Sequence, residues 1–266
     1  MILGPLTLTL GALSGILTGL ILGLIGGGGS ILAVPLLVYV VGVNTPHIAI
    51  GTSALAVAVS ALVNLFLRAK AGLVKWRCGM VFSLAGIFGA FTGARLATYM
   101  DGQKLLGLFG VMMVIIGIAM FRRPEAQGHP DVRLTRSTAS YLVPSLTGIG
   151  FSVGLLSGFF GIGGGFLIVP GLILSTGMPL AFAIGTSFFA IATFGATTSV
   201  TYALSGLVDW PLTALFIGSA VIGGVIGNLL NTKLKHKQAL LGRLFAGLVI
   251  AVGFYVMGRF VLASII

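Results

Sequence analysis

Long apolar stretches, separated by short polar connections, follow one another along the whole chain. They are rich in Leu, Ile, Val, Ala and Gly and lack the residue-by-residue alternation of the strands of a transmembrane β-barrel. Since a membrane-spanning helix needs about 20 apolar residues, the pattern predicts an all-α, polytopic helical membrane protein. We predict ten helical segments, at residues 4–25, 30–43, 47–67, 77–99, 104–121, 138–160, 165–177, 180–204, 211–231 and 239–262.

The second half of the chain repeats the first. Gly26–Pro35 matches Gly161–Pro170 at a spacing of 135 residues, and Gly51-Thr52-Ser53 matches Gly185-Thr186-Ser187 at a spacing of 134. Each copy holds five segments, and an odd number predicts that the second copy inserts upside down. Two inverted repeats are typical of secondary transporters. We predict a first transmembrane repeat over residues 1–121, a cytoplasmic linker over 122–137 and a second transmembrane repeat over 138–266.

Composition excludes a soluble protein, because 57% of the residues are hydrophobic and only 7% are charged, against roughly 25% charged in soluble chains. The net charge of +11 would suggest a nucleic-acid partner in a soluble protein. Here the basic residues cluster in short loops, which indicates a lipid bilayer and no nucleic acid. Such loops belong on the cytoplasmic side. We therefore predict that the loops 68–77, 122–136 and 233–243 are cytoplasmic and that both termini are external.

The second segment of each repeat is short. It covers about 13–14 residues and reaches about 20 Å, whereas the bilayer core is about 30 Å thick. Each follows a glycine-rich loop, so we predict broken helices whose first turns begin inside the membrane and offer free N–H donors to an anion. The anion site is expected where the two loops meet near the midplane. The predicted binding residues are Gly28, Gly29, Ser30, Thr52, Ser53, Gly163, Gly164, Gly165, Thr186 and Ser187.

Small residues have a second interpretation, because Gly, Ser and Thr at helix crossings let backbones pack closely. We expect this role for the ladder at Gly11, Gly15, Gly19 and Gly23, whose members share one helical face. For the amides of Asn64 and Asn228, inside predicted spans, we favour a structural role over substrate binding. Glycine-rich helix faces that are not used for packing within the chain would allow a homodimer but do not require one.

Enzymatic chemistry is not expected. The four acidic residues all lie in connections, so the pattern argues against coupling through a buried carboxylate. No nucleophile, base and orienting acid can be assembled from the sequence, and no cluster has metal-ligand spacing. We therefore predict no catalytic residue, no metal site and no cofactor. The first basic residue is Arg68, so we expect residues 1–25 to be a retained span and not a signal peptide.

The G-x-G-G-G-x-x-x-x-P signature at Gly161–Pro170, its variant at Gly26–Pro35 and the two Gly-Thr-Ser motifs resemble the sulfite exporter TauE/SafE family. The resemblance covers nearly the whole chain. It implies a multi-pass carrier in the cytoplasmic (inner) membrane that moves small sulfur-containing anions such as sulfite or organosulfonates, usually outward. It also implies that the glycine loops and the Gly-Thr-Ser motifs supply the binding positions.

The main hypothesis is therefore a secondary transporter that exports a small anionic substrate by alternating access. One alternative is a channel for an anion or a small neutral solute. Another is a non-transporting membrane scaffold subunit. The coupling ion stays open, because backbone carbonyls of broken helices could hold sodium, and diffusion driven by the membrane potential is equally allowed.

Overall fold

The computed structural model describes residues 4–121, 136–161, 165–233 and 238–265, and their regular structure is entirely helical. Most of the predicted linker, residues 122–135, lies outside the described residues. The helices are α1 (Pro5–Ile25), α2 (Ser30–Pro35, continued as a π-helix over Leu36–Val40), α3 (Pro46–Lys70), α4 (Trp76–Thr98), α5 (Gly102–Phe121), α6 (Arg136–Phe160), α7 (Gly165–Thr176), α8 (Leu180–Leu204), α9 (Trp210–Lys233) and α10 (Gln238–Ile265).

Eight of these helices are long and apolar enough to cross a membrane, and α2 and α7 are the two shorter ones. This confirms the prediction of a polytopic helical membrane protein with one short helix in each half. Two of the predicted loops are wrong at their ends, because the helices continue beyond their apolar stretches. Arg68, in the predicted loop 68–77, lies in the last turn of α3 with only 6% of its surface exposed. Residues 238–243 of the predicted loop 233–243 lie in α10.

The turns of the two halves have equivalent backbones. Among the described residues, positive φ angles occur only at glycine, and these glycines form three pairs at the repeat spacing. A positive φ favours glycine because any Cβ would clash with the backbone. The pairs are Gly26 with Gly161, Gly42 with Gly177, and Gly72 with Gly206.

Helix packing is also equivalent when the two halves are exchanged. The α1·α9 contact corresponds to the α6·α4 contact, and α3·α8 and α5·α10 each join a helix to its own counterpart. The helices α3 and α8 run antiparallel, because Gly51 lies against Leu207 and Gly185 lies against Leu73. Counterparts that run antiparallel are what an inverted repeat requires, although insertion of the halves in opposite directions stays a prediction.

Glycine ladders set the distance between the parallel helices α1 and α9. A Cβ added at Gly19 would overlap the carbonyl group of Ala220, and one added at Gly23 would overlap that of Gly224. Gly154 and Gly158 of α6 lie in the same way against the backbone of α4. The prediction that the ladder mediates close helix packing is confirmed. Such contacts matter in lipid, where van der Waals packing and polar contacts hold helices together.

Gly19→Ala is expected to destabilise the protein by about 1–3 kcal/mol, because the new methyl group meets backbone atoms that cannot rotate away. Gly218→Ala is the matched control, since Gly218 is an exposed residue of α9 with nothing within 4 Å of its added Cβ. Thermal unfolding in detergent measures the effect. Equal midpoints for the two variants would show that the α1·α9 contact is looser than described.

Candidate functional site

The first glycine loop folds back tightly on the helix that precedes it. Gly26 ends α1 with φ of 82°, residues Gly27–Gly29 form a 3₁₀ turn, and the buried Ser30 begins α2. A Cβ at Gly29 would overlap backbone atoms of α1, and one at Gly28 would lie 2.8 Å from the Phe245 ring. These glycines therefore let the loop lie closer to α1 and to Phe245 than any larger residue would allow.

Each glycine loop rests on the opposite repeat. Gly26 lies against Ile184 of α8, and Gly161 of the second loop lies against Ile50 of α3. Each isoleucine directly precedes a Gly-Thr-Ser motif. The structure thus brings each loop to the second motif of the other repeat, a pairing that the sequence did not reveal.

The Gly-Thr-Ser motifs hold turns of the opposite repeat. The Thr186 hydroxyl accepts a 2.9 Å hydrogen bond from the Lys75 backbone N–H, and the Thr52 hydroxyl accepts one of 3.2 Å from the Asp209 N–H. Both threonines are fully buried. These bonds tie each central helix to the turn that leads into α4 or α9.

The serines of the motifs bond within their own helices. Ser53 donates to the Ile50 carbonyl at 3.1 Å, and Ser187 donates to the Ile184 carbonyl at 2.8 Å. A role of these serines and of Thr52 and Thr186 in substrate binding stays a prediction.

Gly26 and Gly161, the first residues of the two glycine loops, lie at opposite ends of α3. Gly26 lies at the Leu73 end and Gly161 at the Ile50 end, and these ends are roughly 30 Å apart at 1.5 Å per helical residue. Gly163 and Gly164 lie outside the described residues, and Gly165 is the buried first residue of α7. A meeting of the two loops near the midplane therefore stays a prediction. We call the end of the α3·α8 pair beside Gly26 the first half-site and the end beside Gly161 the second half-site.

The sequence analysis considers Asn64 alone and misses the polar face of α3 to which it belongs, beside the first half-site. Ser60, Asn64 and Arg68 recur every fourth residue and are all buried. The Ser60 hydroxyl donates to the Ala220 carbonyl of α9 at 3.1 Å, and the Asn64 amide donates to the Ser60 carbonyl at 2.9 Å. Within the described residues, the Asn64 Oδ1 and the Arg68 Nε have no hydrogen-bond partner.

Asn231 joins this polar face to the first glycine loop. Its Oδ1 accepts a 2.9 Å hydrogen bond from the Arg68 Nη2, and its Nδ2 donates to the carbonyl of Leu24, next to the end of α1. Asn228, one turn earlier on α9, is also buried. The order of contacts is therefore α3, then α9, then the loop.

The equivalent face of α8 lies beside the second half-site. At the repeat spacing of 134, Thr198 corresponds to Asn64 and Tyr202 corresponds to Arg68. Both side chains are fully buried, and their hydroxyls have no partner in the part of the chain that the structure describes. Burying a polar group without a partner costs free energy. Buried polar atoms without a partner among the described residues thus recur at equivalent positions of α3 and α8.

The negative charges of the described residues lie far from Arg68. Asp101 and Asp209 accept hydrogen bonds from the first backbone N–H groups of α5 and α9, as helix caps do. Both lie at the Ile50 end of α3, because Asp209 bonds Thr52 and the carbonyl of Met100 contacts His47 at 3.1 Å. About 25 Å of helix separates them from Arg68.

One signal in the sequence could have found the missed residues. The spacing of 134 aligns Asn64 and Arg68 with Thr198 and Tyr202, four polar residues inside or at the end of predicted spans. From the sequence alone, a basic residue such as Arg68, the third residue from the end of its helix, cannot be distinguished from a residue of a cytoplasmic loop. Burial, which distinguishes the two cases, depends on α9.

Thr186→Val is expected to lower the free energy of unfolding by about 1 kcal/mol or more, because it removes the hydrogen bond to the Lys75 N–H. Thr197→Val is the control, since the Thr197 hydroxyl donates only within α8, to the Thr193 carbonyl. Thermal unfolding of both variants in detergent tests this. A smaller shift for Thr186→Val than for Thr197→Val would contradict the role of Thr186 in holding the turn before α4.

Comparison with known proteins agrees with the resemblance seen in the motifs. A family model described as "Sulfite exporter TauE/SafE" matches residues 11–256. A "Probable membrane transporter protein" of Xylella fastidiosa (strain Temecula1) is 48% identical over 97% of each chain. "Probable membrane transporter protein YunE" of Bacillus subtilis (strain 168) is 31% identical over 84% of this chain and 88% of its own. No solved structure matches the chain. The chain belongs to the sulfite exporter TauE/SafE family of membrane transporters.

Proposed function

We propose that the protein is a secondary transporter that exports small sulfur-containing anions, such as sulfite or organosulfonates, by alternating access. The observation that carries the proposal is the pair of buried polar faces on α3 and α8. They occupy equivalent positions at opposite ends of an antiparallel helix pair, and each lies beside a broken helix. Ion and substrate sites between broken helices of two repeats are typical of such transporters.

Alternating access is supported by the equivalent contacts of the two halves. Gly26 and Gly161, which begin the two glycine loops, each contact the other repeat. In the proposed mechanism, a shift of one half against the other opens one half-site while it closes its counterpart. The backbone breaks at Gly26 and Gly161 supply the hinges, because their positive φ angles interrupt the helices there. Movement of one repeat against the other is a common mechanism for this architecture.

An anionic substrate is supported by the distribution of charge. The described acidic residues cap helices at one end of the bundle, whereas the buried charged residue of the described spans is Arg68. A positive charge that has no carboxylate partner among the described residues attracts anions and repels cations. The description of the family as a sulfite exporter supports the same substrate class.

Counterflow of radiolabelled sulfite in proteoliposomes tests the function. A carrier gives saturable uptake that internal unlabelled sulfite accelerates. A channel gives uptake that shows neither saturation nor this acceleration. Folded protein without any exchange of sulfite, thiosulfate or methanesulfonate would contradict anion transport and favour the scaffold hypothesis. We expect Gly28→Leu to abolish counterflow, because its side chain would collide with Phe245, and Gly218→Leu, at an exposed position, to retain it.

We further propose an inner-membrane orientation in which the turn after α3 is cytoplasmic and both termini are external. Lys70 ends α3 and Lys75 lies in that turn, whereas the counterpart turn carries Asp209. In a Cys78→Ser background, which removes the single native cysteine, Ala71→Cys and Ser205→Cys place thiols at exposed positions of the two turns.

A membrane-impermeant maleimide is expected to label Ser205→Cys in intact cells and Ala71→Cys only in inside-out vesicles. Cys78→Ser alone controls for background labelling. Labelling of Ala71→Cys in intact cells would reverse the proposed orientation.

A further inference from the structure

We propose that Arg68 and Asn64 form the binding site for one singly charged oxyanion at the first half-site, with Asn231 as the positioning residue. The inference rests on the proposed function, because it assigns the place where the transported anion is held. Neither residue was among the binding positions expected from the glycine loops and the Gly-Thr-Ser motifs.

The first argument is the environment of the Arg68 guanidinium. The side chain is 6% exposed, one nitrogen donates to Asn231, and Nε has no partner within the described residues. A buried charge without a counter-charge is strongly unfavourable. The described carboxylates are about 25 Å away along α3, so an anion bound beside Arg68 would supply the missing negative charge.

The second argument is the orientation of the Asn64 amide. Its Nδ2 donates to the Ser60 carbonyl, which leaves Oδ1 as an acceptor without a partner in the described part of the chain. Asn64 precedes Arg68 by four residues, and side chains at this spacing are neighbours on a helix surface. The pair therefore offers an N–H donor and a carbonyl acceptor one turn apart. Hydrogensulfite needs both, because its oxygens accept hydrogen bonds and its proton can be donated.

The third argument is charge balance. Within the described residues, Arg68 is the single buried charged side chain. One guanidinium neutralises one negative charge, whereas a dianion would bring an uncompensated charge into a buried place. The site is thus suited to hydrogensulfite or a monosulfonate and unsuited to sulfate or thiosulfate.

Asn231 sets the position of Arg68 and links it to the loop. Because it bonds both the guanidinium and the carbonyl of Leu24, movement of the end of α1 is transmitted to the anion site. The counterpart face on α8 has the neutral side chains of Thr198 and Tyr202 instead. The anion therefore meets a positive charge at one half-site and hydroxyl groups at the other.

The test measures binding and transport separately, at constant ionic strength. Binding is measured as the shift of the thermal unfolding midpoint by methanesulfonate and by sulfate, and transport as sulfite counterflow. In the wild-type protein, methanesulfonate is expected to stabilise the fold and to compete with sulfite, whereas sulfate is expected to do neither at the same concentration. A stronger effect of sulfate than of methanesulfonate would overturn the monoanion site.

Arg68→Gln is expected to lower sulfite transport by about tenfold or more, which is the size of effect of hydrogen bonds to a charged group. It should also abolish stabilisation by methanesulfonate. Arg68→Lys keeps the charge but lacks the planar guanidinium. We therefore expect its sulfite transport and its stabilisation by methanesulfonate to lie between those of the wild-type protein and Arg68→Gln. Arg95→Gln is the matched control, because Arg95 is exposed on α4 with its guanidinium over the Phe91 ring, and we expect wild-type behaviour.

Asn64→Leu keeps the contact between Arg68 and Asn231, so it tests the site even if Arg68→Gln fails to fold. It is expected to raise the sulfite concentration that half-saturates counterflow more than it raises the methanesulfonate concentration that half-inhibits it. The reason is that hydrogensulfite has an O–H donor for Asn64 and methanesulfonate has none. If Asn64 were only structural, both concentrations would change by the same factor, and this result would overturn its part in the site.

The outcomes separate this inference from the proposed function. If the wild-type protein exchanges sulfite and Arg68→Gln does so equally well, the function stands and the Arg68 site is wrong. If methanesulfonate binds in an Arg68-dependent manner without any exchange, the site stands and transport is wrong. Neither binding nor exchange in the folded wild-type protein would overturn both.

Discussion

The antiparallel contact between α3 and α8 is the interaction on which the rest of the structure depends. At each end of this pair, a buried threonine holds a turn of the opposite repeat, and the isoleucine two residues before it supports a glycine loop. Because both helices carry the same motif, one arrangement is made twice. The broken helices, whose backbone groups lipid could not satisfy, are thereby held inside protein.

The two halves share a backbone arrangement but differ in chemistry. Equivalent glycines adopt positive φ angles and equivalent helices make the same contacts. On this common scaffold, one central helix carries Asn64 and Arg68 where the other carries Thr198 and Tyr202. A buried cation thus lies near one end of the α3·α8 pair and neutral hydroxyl groups lie near the other, without any difference in fold.

Much of the fold could be predicted because its determinants are local. The lengths of the apolar stretches predict the helices, and the ladder from Gly11 to Gly23 predicts a close helix contact, which the structure makes with α9. The site was harder to predict. The sequence identifies the glycine loops but not their partners, because each loop joins the other repeat through long-range contacts that local spacing does not contain. Arg68 was assigned to the loop of its neighbours Lys70 and Lys75.

The sequence by itself determined the class of the protein, its repeated plan, its family and the glycines that its turns and close contacts need. These follow from composition, periodicity and backbone geometry, which act over a few residues. Only the tertiary structure decided that Gly26 and Gly161 lie at opposite ends of α3 and that Arg68 is buried against Asn231. Burial and the pairing of polar atoms depend on residues more than a hundred positions apart, so packing had to bring those residues together first.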